Sequence, residues 1–124
     1  MKNLNIVWGK VKIGKKRGKA LGFPTANIIL HKKIPSGIYA SLTKIGEKTY
    51  RSVAFIGKAE TFNEIDYKAE TFIFDFNRNI YGKWISIRLL KKIRDSKKFA
   101  SEKKLIEQIK KDVLTTRKFF QKSF

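Results

Sequence analysis

Up to residue 93 the chain runs as short segments of alternating polarity set apart by Gly, Pro and Asn, and beyond Phe99 the two-residue period gives way to a helical one. A chain so divided reads as several strands followed by one helix. Residues 5–13 alternate around Ile6, Trp8, Val11 and Ile13. Residues 37–45 and 49–56 are β-branched and aromatic runs, joined by the hairpin-like Ile45-Gly46-Glu47-Lys48. The clearest strand is Tyr67 to Phe76, which puts Glu70, Phe72, Phe74 and Phe76 on one face, and Asn77-Arg78-Asn79 reads as the turn after it. Trp84 to Ile93 then places Ile85, Ile87, Leu89 and Ile93 together, interrupted only by Lys91. Ser101 is a suitable N-cap with Glu102 in the first turn, and Leu105, Ile109, Val113 and Phe120 keep helical spacing, which predicts a helix over 102–120. Strands in this order are best closed into a small antiparallel barrel with the helix packed against it, because closure removes exposed edges.

With 124 residues there is room for one domain, 1–124, and one core. Hydrophobic residues make up 42% of the chain, enough apolar surface to offset the ordering entropy of folding, so a disordered basic tail is excluded. Cysteine is absent, which rules out disulfides, thiolate nucleophiles and Cys-based zinc sites and suits a cytoplasmic compartment. His31, the only histidine, lies in a polar stretch without co-ligands at metal spacing, and no role is assigned to it. The amino terminus lacks an apolar run of signal or membrane-spanning length, so a soluble protein without a membrane partner is expected. The net charge of +19 implies attraction to polyanions, but the lysines are scattered, and much of the excess is equally a solvated surface.

Three segments carry candidate chemistry. Gly14-Lys15-Lys16-Arg17-Gly18-Lys19-Ala20 resembles a P-loop superficially, yet its spacing is one residue short, and Ala20 stands where a Mg²⁺-binding Ser or Thr is needed. Its glycines and cations still suit either a phosphate loop or an ordinary basic turn. In Gly22-Phe23-Pro24-Thr25-Ala26-Asn27, Pro24 stiffens the chain and holds Phe23 extended. Continued extension would project Thr25 and Asn27 from one face, as hard oxygen ligands for Mg²⁺ or as groups that satisfy a turn. Glu70 stands on the phenylalanine face of its strand, where a carboxylate held away from water would be a stronger base; if that face meets solvent, it is a surface residue.

The runs GKVKIGKKRGKALGFPTANI, SGIYA, AETFIFDFNRNIYGKWISI, KKIRDSKKFAS and QIKKDVLTTRKFF together resemble the riboflavin kinase module from end to end. That module occurs alone in eukaryotes and as the kinase half of bacterial bifunctional FAD synthetase. LGFPTAN is its most specific element. The resemblance implies a mainly β fold, a closed six-stranded antiparallel Greek-key barrel with a C-terminal α-helix packed against it. It implies transfer of the γ-phosphate of ATP to the 5′-hydroxyl of riboflavin, with Mg²⁺ as cofactor; a monomer is the expectation for the chain, which no motif addresses. Thr25 and Asn27 would bind metal and ATP, Gly14 and Lys19 would lie over the phosphates, Glu70 would be the catalytic base, and Arg94 would belong to the flavin side. The chain departs from the family at Ser52, Phe55 and Glu60, where Gly, Asn and Pro are usual.

The rival reading is a basic nucleic-acid-binding β-barrel in which exposed aromatics such as Trp8 and Trp84 serve as stacking platforms. It accounts for the charge. It does not account for LGFPTAN or for a glutamate on an apolar face, and it requires the cations to gather on one surface.

Overall fold

The computed structural model describes residues 5–12, 25–61 and 64–123. Its elements are β1 (Ile6–Lys10), β2 (Thr25–Ile29), β3 (Gly37–Ile45), β4 (Lys48–Thr61), β5 (Glu64–Ile73), β6 (Trp84–Arg94) and α1 (Glu102–Ser123). The strands form one antiparallel sheet in the order β1-β6-β3-β4-β5-β2. Within it, β3, β4 and β5 form a meander and β6 returns to lie beside β3, which is the Greek-key arrangement. The sheet curls until its outer strands meet, where the Lys12 N–H donates to the Asn27 carbonyl at 2.7 Å. A side chain at Gly9 would bring its Cβ within 3.2 Å of Ile28 Cβ, so glycine is what permits this close approach at the seam.

Alternation divides the side chains between two cores. Val7, Ala26, Ile28, Ala54, Ile56, Ala69, Ile73, Ile85, Ile87 and Leu89 fill the barrel. Deep inside, four fully buried hydroxyls satisfy one another: Ser52 bonds both Ser41 and Thr43 at 2.8 Å, and Thr43 reaches Thr71 at 3.2 Å. The unusual Ser52 is thus absorbed into the interior. Outside the barrel, Ile38, Val53, Phe72 and Phe74 form a second core with Ile109 and Val113 of α1. Each such side chain contributes about 1.5–3 kcal/mol by burial, which fixes the helix on this face.

The helix begins where its cap predicts, since Ser101 Oγ accepts from the Lys104 N–H at 3.2 Å. The β3–β4 hairpin has Gly46 at φ 61° as its first loop residue, the position a type II′ turn reserves for glycine.

Four local expectations are corrected. β5 ends at Ile73 because Asp75 adopts φ 57°, a conformation that Asp tolerates better than most residues. Phe76 therefore joins the barrel interior, away from Phe72 and Phe74, and the bend falls at Phe74-Asp75 instead of at 77–79. On β6, the register shift opposite Ala40/Ser41 reverses the alternation beyond Leu89, so Ile93 packs with the outer, helix-facing core and not with Ile85, Ile87 and Leu89, and the second shift opposite Ile38/Tyr39 keeps Arg94 on that outer face as well.

Candidate active site

Thr25 and Asn27 leave β2 on the outer face because Ala26 and Ile28 point into the barrel and are fully buried. On the neighbouring strand Glu70 is the direct partner of Asn27, and Phe72 that of Thr25. Directly opposed cross-strand residues hold their Cβ atoms about 4.5–5.5 Å apart, so the amide and the carboxylate stand side by side. The register continues across the sheet: Glu70 opposes Phe55, Phe55 opposes Ile38, and Ile38 opposes Arg94. Asn27, Glu70 and Arg94, scattered in sequence, thus lie in a single row on the outer face.

The polar end of that row is enclosed. Asn27 and Glu70 are each only 4% exposed, and Thr25 is half-buried. Asn27 Oδ1 is buried and has no hydrogen-bond partner among the described residues, a state that costs about 1–3 kcal/mol unless something binds there. An amide oxygen in that position, a hydroxyl two residues away on the same face and a carboxylate alongside are hard donors that fit a Mg²⁺-nucleotide. On its other side Glu70 is flanked by Phe55, whose ring packs against Phe72 with centroids 4.9 Å apart. The departure from Asn at this position has placed an aromatic wall beside the carboxylate.

At the far end of the row Arg94 makes a two-pronged ion pair with Asp112 of α1, both contacts at 2.8 Å, and Asp112 is buried. Gln108 donates to the same carboxylate at 3.1 Å. Arg94 therefore clamps the end of β6 to the helix, and its guanidinium also lies over Phe99 at 5.7 Å. Sequence reasoning missed Asp112 as its partner. The available signal was an acidic residue in the buried helical phase set by Ile109, Val113 and Phe120. Nearby, Lys92 and Asp95 pair at 2.6 Å; that hydrogen bond raises the Lys92 amine and lowers the Asp95 carboxyl from their usual ranges. Tyr67 and Tyr39 donate to the carbonyls of Ile34 and Pro35, and burial pushes the Tyr67 phenol upward.

Gly14 and Lys19 lie outside the described residues. Among those described, there is no cluster of three or more His, Cys, Asp or Glu able to hold a metal, and no helix long and apolar enough to cross a membrane.

A Greek-key barrel that sets a buried carboxylate beside an amide oxygen at its seam has the parts of a metal-assisted transfer site. The model of the riboflavin kinase (flavokinase) family matches residues 3–120, and the chain belongs to that family. It is 39% identical over 117 residues to a bifunctional riboflavin kinase/FMN adenylyltransferase of Haemophilus influenzae, covering 92% of this chain and 38% of that protein. The chain therefore spans well under half the length of this relative. Its fold matches a structure titled macrolide-efflux protein from Streptococcus pneumoniae with a TM-score of 0.78 and 38% identity, over 90% of this chain and 38% of that one. It also matches riboflavin kinase from Trypanosoma brucei with a TM-score of 0.62 and 27% identity, over 95% and 80% of the two chains.

Proposed function

We propose that this chain, as one domain, is a riboflavin kinase that transfers the γ-phosphate of ATP to the 5′-hydroxyl of riboflavin, giving FMN. The observation that carries the reading is the register that sets Glu70 beside Asn27 on an enclosed part of the outer face. Thr25 Oγ1 and Asn27 Oδ1 would hold Mg²⁺ together with the nucleotide, and the metal when bound would neutralise charge on the transferring phosphoryl group. Glu70 accepts the proton of the ribityl hydroxyl as that oxygen attacks, and its place in the sheet keeps it fixed while doing so. Gly14 and Lys19 are assigned to the phosphates, the first by close backbone approach and the second by charge. Arg94 serves the flavin side by fixing residues 95–101 and the start of α1 through its pair with Asp112. The same assignment holds if this domain works as the kinase half of a bifunctional FAD synthetase.

The test is direct. Incubation of the purified chain with riboflavin and Mg²⁺-ATP, followed by chromatographic separation of flavins, should yield FMN, and chelation of the metal should stop it. No FMN under these conditions would overturn the reading.

A further inference from the structure

Among the described residues the helix covers the outer face only around Ile38, Val53, Phe72 and Phe74, and leaves the outer face of β1, the first half of β6 and the second half of β3 bare. That surface is defined by register. Trp8 opposes Ser86 and Lys10 opposes Trp84, so the two tryptophans are diagonal neighbours on adjacent strands. Both are largely exposed, at 57% and 65%, which is unusual for side chains that would normally bury most of their area. The cations Lys10, Arg88 and Lys44 alternate with them on the same face, and Lys32 Nζ lies 5.6 Å from the centre of the Trp8 ring. No acidic residue occurs anywhere in β1, β3 or β6. With ten acids against 29 Lys and Arg in the whole chain, that is a local extreme of an already strong imbalance.

We propose that this bare β1-β6-β3 face binds single-stranded nucleic acid, with Trp8 and Trp84 as stacking platforms for successive bases and Lys10, Lys44 and Arg88 on the phosphates. The charge complementarity is to a polyanion, and the paired tryptophans select among polyanions for one that also presents flat rings at short intervals. An anionic membrane is the weaker fit. A membrane-seeking surface gathers its apolar groups on one side for insertion, whereas here Trp8 stands in the middle of β1 and Trp84 opens β6, with Lys10 two residues from the first and directly opposite the second. The face adjoins β2 across the seam at Lys12, but neither tryptophan belongs to the row that holds Asn27 and Glu70, so the tryptophans can be changed without touching the proposed kinase residues.

The experiment titrates the full chain into a fluorescein-labelled single-stranded oligonucleotide of mixed sequence, reading anisotropy and tryptophan quenching across a salt series. Trp8→Ala with Trp84→Ala should weaken binding at least about tenfold, with thermal midpoint and FMN formation unchanged. Replacing Lys44 and Arg88 by Glu should weaken it more than the equal charge change Lys110→Glu with Lys118→Glu on α1, and should flatten the salt slope. Equal effects of the two charge swaps, or no effect of the tryptophans, would reduce the binding to diffuse attraction and overturn the proposal. So would tryptophan-dependent sedimentation with phosphatidylserine-containing vesicles in the absence of oligonucleotide binding.

Discussion

Asn27 and Glu70 pose a problem of solvation at the level of single atoms: both are 4% exposed, and the amide oxygen is left without a partner among the described residues. Such a site is tolerated when a ligand completes it. Replacing Asn27 by Ala should therefore change the stability of the ligand-free protein by no more than about 1 kcal/mol, because the lost packing is offset by removal of the orphaned oxygen. The rise in melting temperature produced by saturating Mg²⁺-ATP should disappear in the same variant, as differential scanning fluorimetry would show. Glu70→Gln keeps the size of the side chain and deletes the base. If the proton is taken only as the hydroxyl attacks, kcat should fall by roughly 10²–10⁴ while riboflavin and Mg²⁺-ATP bind nearly as before. Steady-state turnover beside a flavin-fluorescence titration separates the two quantities, and near-normal turnover would remove Glu70 from the chemistry.

Among elements, the decisive join is between β6 and α1. Apolar packing of Ile109 and Val113 holds the helix to the sheet, but that packing is non-directional, and the fork between Arg94 and Asp112 is what fixes its position. The Asp112 side chain is 2% exposed and that of Arg94 18%, so breaking the pair leaves a poorly solvated charge. Asp112→Ala should cost about 3 kcal/mol in urea unfolding, and combining it with Arg94→Met should cost clearly less than the sum of the single changes. Additive single-variant losses would mean that the two side chains do not act as a unit. The helix itself was legible in the sequence, from its cap to its buried stripe, because the local period suffices to define it. The strand ends were less so. A residue in the left-handed region at Asp75 and the bulges opposite β3 each shift the phase of alternation, which moved Phe76 and Ile93 to faces that simple counting does not give them.

For the molecule as a whole, the net charge of +19 on 124 residues is a source of self-repulsion that the few described ion pairs do little to relieve. Salt should stabilise it. Raising ionic strength from about 20 to about 300 mM shortens the screening length several-fold and should increase the melting temperature, by about 4 °C for each kcal/mol of repulsion relieved in a domain of this size. A melting temperature that falls or stays constant with sodium chloride would show that local ion pairs outweigh the repulsion.

The sequence by itself determined the class of fold, the order of strands and helix, the shared face of Thr25 and Asn27, and the presence of a carboxylate at position 70 on an apolar face. Each of these follows from periods of two or 3.6 residues, which are properties of a segment alone. Which strand lies beside which is a property of hydrogen bonding between distant segments, and no local period contains it. Only the tertiary structure could place β2 against β5 in the register that sets Asn27 next to Glu70, extend that row through Phe55 to Arg94, bury Asp112 as the partner of Arg94, and leave Trp8 and Trp84 together on the face that α1 does not cover.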